Sequence, residues 1–443
     1  MSSTNSRLPG FYKLTLTERR ARLAELTGLD RAELDVLLEG GGLDARTADK
    51  VVENVVGIYG LPLGVALNFR INDVDRLIPM VVEEPSVIAA ASNAARMIRG
   101  GGGFRAELLE NLMTTQIQLF DVPDPEAARV RLVESEAELL ALATASVPNL
   151  VKRGGGPRAM EVRDLGERSV VVHVHVDCQD AMGANLVNTV AEAIGPRAAE
   201  LGGGTLGLRI LTNLSDRRRV RVRCRVPAAE LVSGRPPSKD ALSSWAPGGG
   251  DLEASTVLDR VVAASRFAEV DPYRAATHNK GIMNGVDSVV IATGNDYRAV
   301  EAGAHAFAAR SGRYSPLAVW RREGDDLTGE LEMPLALGIV GGTLRVHPTA
   351  RLALELLGAR TAGELALAAA SAGLASNLAA LRAMATEGIQ RGHMSLHARS
   401  VAIAAGAEGA LVEQVAAELS AAGSVTVDAA REVLLRLRRG GPA

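Results

Sequence analysis

Cysteine and aromatic residues are scarce in this chain. Cys178 and Cys224 are the two cysteines among 443 residues, and Phe, Trp and Tyr together make up 3%. Two cysteines cannot form a disulfide framework; they fit a reducing compartment, the cytoplasm. A nucleic-acid binder would carry a basic balance and stacking rings, whereas the net charge here is −3, so no nucleic-acid partner is expected. Long apolar runs are missing too. Met1 to Lys13 is polar and lacks the apolar core of a signal peptide. The nearest thing to a membrane span, Leu365 to Leu381, is Ala-rich and interrupted by Ser371, Ser376 and Asn377. A span takes ~20 strongly apolar residues, so this segment predicts a buried helix and no membrane contact.

What is present is globular: 47% hydrophobic and 23% charged residues, over a length that predicts two or three domains. Thr15 and Glu18 have capping-box spacing, so a helix carrying Leu23 and Leu26 should follow and stop at Gly28. A short helix is expected over Arg31 to Leu38, before the break at Gly40 to Gly42. Pro85 fits the first turn of a buried helix that runs to Gly100–Gly103, with Glu83 and Glu84 at its positive end. Val170 to Val176 and Val220 to Val226 alternate like strands. The second carries Arg221, Arg223 and Arg225 on one face, read as the wet face of a half-buried strand rather than a phosphate site. Val286 to Thr293 reads as a further strand, closed by Gly294-Asn295-Asp296. Glu330 to Met333 and Leu335 to Gly342 read as extended, and the tail from Met384 as helical. Pro236-Pro237 and Pro247 to Gly250 look like loops.

Several motifs could carry chemistry. The glycine clusters at 100–103, 154–156, 202–204 and 248–250 lack dinucleotide-fingerprint or P-loop spacing and read mostly as turns. Asp180 to Asn185 differs. It follows a strand and opens a helical pattern from Leu186 to Ile194, where a glycine among small residues admits a phosphate to backbone N–H groups. Tight packing explains it equally well. Lys280 sits in a polar stretch, His278 to Gly285, and could present its charge into a cleft or lie in a surface loop. Asp296 could line a site or simply close a turn. His393 and His397, four apart, share a helix face. Neither the HExxH glutamate nor a nearby third ligand accompanies them, so no metal is expected. An acid/base histidine and a packing histidine both remain open.

Taken together, these motifs resemble the soluble, bacterial-type (class II) 3-hydroxy-3-methylglutaryl-CoA reductases. The matching stretches run almost end to end: Ser6 to Pro9, Glu53 to Gly57, Pro79 to Ser86, Asp180 to Asn185, Asp271 to Gly281, Ala292 to Asp296 and Gly392 to Met394. The resemblance implies an α+β fold with a large substrate domain (1–110 and 217–387) around a long central helix. It implies an inserted small cofactor domain (111–216) that is not a Rossmann fold, with an antiparallel sheet and helices, and a helical C-terminal flap (388–443). It implies a homodimer with active sites at the interface, often built into hexamers. Activity would be the two-step reduction of HMG-CoA to mevalonate and CoA by two nicotinamide cofactors, or the reverse. The alternative is a nicotinamide-dependent oxidoreductase of the same scaffold acting on another acyl-CoA.

The same resemblance implies Glu84, Lys280, Asp296 and His393 as the catalytic set. Lys280 would stabilise the oxyanion left by hydride attack, Glu84 would donate the proton, and Asp296 would hold Lys280. His393 would protonate the departing CoA thiolate, since an imidazole titrates near ~6.5 and a thiol near ~8.5. Arg274, Ser86 and Asn284 are candidates for the substrate's carboxylate and hydroxyl, Arg because its donors form a planar fork. Asp180, Met182, Gly183 and Asn185 are candidates for the cofactor. NADH-preferring members carry an Asp near Val147, where it accepts from the ribose 2′-hydroxyl and repels a 2′-phosphate. Here that position is Val147, with Lys152 and Arg153 following, which points to NADPH rather than NADH.

Overall fold

The computed structural model describes residues 5–36, 42–232, 253–386 and 389–439. Ten strands make two sheets: β1 Leu63–Ile71, β2 Val74–Val81, β3 Phe104–Asn111, β4 Met113–Phe120, β5 Gly156–Gly166, β6 Ser169–Asp177, β7 Thr205–Leu211, β8 Arg218–Pro227, β9 Ala318–Glu323 and β10 Asp326–Pro334. The larger sheet runs β2-β1-β3-β8-β10-β9 and the smaller β5-β6-β4-β7. Pairing is antiparallel except where Ile71 of β1 meets Phe104 of β3. The helices of ten or more described residues are α1 Leu16–Thr27, α2 Val87–Gly100, α3 Pro125–Glu134, α4 Glu136–Ser146, α5 Ala184–Gly202, α6 Ala254–Val270, α7 Pro272–Ala292, α8 Tyr297–Ala308, α9 Pro348–Leu357, α10 Ala362–Ala385, α11 Ile389–Ala404, α12 Ala410–Ala422 and α13 Val427–Arg438.

Local rules explain most boundaries. Thr15 and Glu18 form the reciprocal capping box of α1, and Gly28 closes it in the left-handed region. In β8, Val220, Val222 and Val226 are fully buried. The alternate arginines meet carboxylates on neighbouring strands: Arg219 and Arg221 reach Glu332, Arg223 reaches Glu330 and Glu107, and Arg225 reaches Asp326. That stripe is a paired, wet sheet face.

α10 is the centre of the larger unit. By length and composition it could cross a membrane, but 78% of its most apolar window is buried inside the protein. Its small residues let α7, α2, α6 and the six-stranded sheet close around it in one apolar core. The four-stranded sheet carries α3, α4 and α5 on one face over a second core, and α11 to α13 form a third.

Four expectations need correction. Val286 to Ala292 is helix, not strand, with Thr293 as its C-cap. It is the end of α7, whose buried positions Ala275, His278, Asn279, Ile282, Met283, Val286, Val289 and Val290 follow helical periodicity. Asp271 caps that helix by accepting from the Arg274 amide at 3.0 Å, with Pro272 in its first turn. Pro85 lies outside α2, because Ser86 occupies the N-cap at φ 79°. The helix at Arg31 ends at Asp35. Gly40, Gly41, Pro236-Pro237, Pro247 to Gly250 and the flap boundary at Gly388 lie outside the described residues. Leu335 to Gly338 joins no strand, Val340 makes an isolated parallel bridge to Ala181, and the extended reading fails at its end, where Gly341 turns at φ 86° and Gly342 opens a 3-10 helix, Gly342–Arg345.

Candidate active site

Glu84 lies in the link between β2 and α2, and Lys280 projects from the middle of α7, which packs against β2. The two sequence-distant candidates meet: Lys280 Nζ donates to Glu84 Oε2 at 3.1 Å. The pair is open to a ligand, the side chains being 63% and 36% exposed. Asn284 follows Lys280 by one helical turn on the same side of α7. Arg274, in the first turn of α7, is half-buried with no carboxylate partner among the described residues. Among the described residues its guanidinium reaches only the Met384 sulfur, at 3.8 Å. Burial lowers its pKa from the usual arginine value. At the N-cap of α2, the Ser86 hydroxyl is buried with no hydrogen-bond partner among the described residues. An unsatisfied buried hydroxyl costs ~1–3 kcal/mol and is a reasonable place for a ligand to supply the partner.

Asp296 caps α8. Its Oδ1 accepts from the amides of Arg298 at 3.1 Å and Ala299 at 3.2 Å, and the Arg298 guanidinium lies 3.5 Å away. No hydrogen bond or ion pair joins Asp296 to Lys280 among the described residues; within one chain, Glu84 holds the lysine. His393 is in α11, where its side chain lies outside the described part of the structure; His397 is exposed. No metal-holding group of His, Cys, Asp and Glu occurs among the described residues.

The second half of the site surrounds the turn from β6 into α5. Gly183 is the N-cap at φ 102°, and a Cβ there would lie 2.5 Å from Cys178 Sγ. Only glycine fits, and its bare backbone opens the positive end of a 19-residue helix. Met182 precedes it half-buried, and Asn185 stands exposed in the first helical turn. A cleft beside this turn is lined by Asn149, Arg153, Gln179, Asp180, Leu186 and Val340. Arg153 thus faces the cleft, whereas Lys152 is an exposed neighbour outside its lining. Val147 is 5% exposed, packed into the core of the small unit behind the cleft. The Asp180 carboxylate is already used, accepting from the Ala362 amide at 2.8 Å at the start of α10. A glycine cradle, a helix N-terminus and a cleft-facing arginine suit a dinucleotide. Sequence reasoning missed Arg218, which lies beneath this turn and donates to the carbonyls of Ala181 and Met182; no motif marks it.

The family described as hydroxymethylglutaryl-coenzyme A reductase matches residues 15–398. The chain is 46% identical to the 3-hydroxy-3-methylglutaryl-coenzyme A reductase of Archaeoglobus fulgidus, over 98% of this chain and 95% of that protein. It is 32% identical to the probable reductase of Borreliella burgdorferi, over 79% and 77%. Its fold superposes on the Streptococcus pneumoniae reductase with a TM-score of 0.79 at 38% identity, covering 97% of this chain and 99% of that one. A second structure of the class II enzyme from that organism, bound to NADPH in open conformations, gives a TM-score of 0.78 at 39% identity, over 85% and 99%.

Proposed function

The chain belongs to the hydroxymethylglutaryl-coenzyme A reductase family, and from that membership we propose how its residues convert HMG-CoA to mevalonate and CoA, or the reverse. The carrying observation is the 3.1 Å Lys280–Glu84 pair, a cation and a carboxyl group together on an open surface. A bound reduced nicotinamide supplies one hydride to each of two successive carbonyl groups. Lys280 stabilises the negative oxygen formed at each addition, a contribution of about 3–4 kcal/mol for a well-placed donor. Glu84 delivers the proton that this oxygen takes up. Between the two reductions the hydroxyl of the hemithioacetal returns its proton to Glu84 as the carbon–sulfur bond breaks, leaving mevaldehyde and a CoA thiolate, which His393 protonates. Arg274 binds the substrate carboxylate, and Ser86 and Asn284 bind its hydroxyl and carbonyl oxygens; the unpartnered Ser86 hydroxyl supports this assignment.

The cofactor lies on the turn formed by Asp180, Met182, Gly183 and Asn185. NADPH is favoured by the cleft-facing Arg153, with Lys152 beside it; Val147, packed in the core, faces no ligand. Segments 1–110 with 217–387, 111–216 and 388–443 act as substrate domain, cofactor domain and flap. The working unit is a homodimer in which Asp296 of one subunit completes the Glu84–Lys280 pair of its partner. Two observations support this: no hydrogen bond or ion pair joins Asp296 to Lys280 among the described residues of one chain, and Val56, inside the Glu53 to Gly57 motif, and Tyr59, just after it, stand fully or almost fully exposed. Burial of α10 within the protein supports a cytoplasmic location.

The test is loss of nicotinamide absorbance by the purified protein with HMG-CoA and NADPH or NADH in parallel. Two cofactors consumed per CoA released are expected, faster with NADPH. Folded protein that consumes neither would overturn the reading, and a preference for NADH would overturn the cofactor assignment.

A further inference from the structure

The cofactor turn and the catalytic turn are separated by Leu337 to Val340, and this short extended segment is bonded on both sides. Toward the cofactor turn, the Ile339 amide donates to the Asp180 carbonyl at 2.9 Å, and Val340 bridges to Ala181. Gly338 approaches so closely that a Cβ there would lie 2.4 Å from the Met182 nitrogen. Toward the catalytic turn, Asn295 grips the same residue twice. Its Nδ2 donates to the Gly338 carbonyl at 3.0 Å, and its Oδ1 accepts from the Gly338 amide at 2.8 Å. Asn295 immediately precedes Asp296, and its Nδ2 also donates to the Thr293 carbonyl at 3.1 Å, which fixes the turn's own shape.

Arg218 closes the arrangement from below. It is the first residue of β8 and is 4% exposed. One terminal nitrogen donates to the carbonyls of Ala181 at 3.0 Å and Met182 at 2.8 Å, and the other to Leu337 at 2.7 Å. Its neighbours in β8 have carboxylate partners, but Arg218 has no ion pair among the described residues. A buried guanidinium held by carbonyls alone carries a large desolvation cost, which lowers its pKa. It also gathers the carbonyls of the cofactor turn onto one side. The helix N–H groups beyond Gly183 are left for an anion, with a fixed positive charge behind them.

We propose that Arg218 and Asn295 are positioning residues that fasten the dinucleotide turn to the Asn295–Asp296 turn through Leu337–Val340, and so set where the nicotinamide lies relative to Asp296. Neither residue need touch substrate or cofactor. The inference rests on Asp180 to Gly183 being the cofactor turn.

Three variants of the full-length protein test it: Asn295→Ala, Arg218→Lys and Gly338→Ala. For each, NADPH affinity is read by nicotinamide fluorescence, the KM for HMG-CoA by steady state, hydride transfer by the isotope effect of deuterated cofactor, and folding by Tm. Asn295→Ala deletes both bonds to Gly338. It should weaken NADPH binding by about tenfold, the scale of one good hydrogen bond, and raise the isotope effect, with the KM for HMG-CoA within about twofold. Arg218→Lys keeps the charge but loses the fork and should give the same split. Gly338→Ala removes no bond and wedges the segments apart; it should weaken NADPH binding even if Arg218→Lys fails to fold. Folded variants with wild-type NADPH affinity and isotope effect would overturn the inference, as would equal losses toward both substrates. A wild-type protein that never oxidises NADPH would instead remove the functional reading beneath it.

Discussion

Replacing Lys280 by Met tests the centre of the proposed chemistry, because the structure separates the side chain's two contributions. Met keeps most of the aliphatic stem and removes the charge. In the resting protein Lys280 makes one ion pair among the described residues, 3.1 Å from Glu84, and its side chain is 63% exposed. Solvent screens such a pair, so its loss should change folding stability by less than ~1 kcal/mol. During reduction the same ammonium faces an oxygen with a full developing charge, in a site closed by substrate and cofactor. Loss of such a donor is worth about 3–4 kcal/mol, or roughly 10²- to 10³-fold in kcat. Lys280→Met should therefore leave Tm nearly unchanged while kcat collapses. Reduction of HMG-CoA and of free mevaldehyde should fall together, because both pass through an oxyanion. Steady-state assays on the two substrates and a thermal melt suffice. A fall in kcat below tenfold, or a loss explained by unfolding, would refute this role for Lys280.

His393→Gln should slow thioester reduction far more than mevaldehyde reduction, since the aldehyde releases no thiolate; equal losses in parallel assays would count against that role. Gly183→Val places a branched side chain at φ 102° against Cys178 and should raise the KM for NADPH more than tenfold while sparing that for HMG-CoA; steady-state kinetics with each substrate varied would show a failure as an unchanged NADPH KM. Burial, together with the facing Glu301 carboxyl on α8, pushes the Asp287 carboxyl up to about 9. The folded chain then keeps a proton that the unfolded chain releases, so this contribution is full below about pH 4 and is lost as pH rises toward about 9. Asp287→Asn, neutral at every pH, should flatten the fall in Tm between about pH 6 and 9; a wild-type Tm that does not fall across that interval would sink the idea.

Local rules made much of the fold legible. The capping box and glycine stop of α1 needed only three residues, and the alternation in β8 identified both its buried face and its arginine face. The Ala-rich segment around Ser371 was readable as a buried helix because polar interruptions are tolerated inside a protein. The end of α7 was misread for a physical reason. Val286, Val289 and Val290 are β-branched and look like strand in a short window, whereas the deciding helical period spans the whole run from Ala275. The polar character of Asn279, Lys280 and Asn284 broke that window in two. Tertiary packing against β2 and α10 overrode the propensity of the valines.

The site was legible in a different sense: its motifs named residues, but not which residues would meet. Glu84 and Lys280 are 196 positions apart, and only the packing of α7 against β2 joins them. Asp296, matched by the same family pattern, has its Oδ1 engaged by its own helix, a use that no motif discloses. The division has a consequence for catalysis. One chain joins the cation to Glu84, and separately bonds the proposed cofactor turn to the Asn295–Asp296 turn. If the two halves meet across a dimer, each active site joins rigid pieces from different subunits, and hydride transfer depends on how the interface seats them. Dilution below the dimer dissociation constant should then abolish reduction while NADPH still binds each monomer, whereas activity that persists in a monomer would place the whole reaction within one chain.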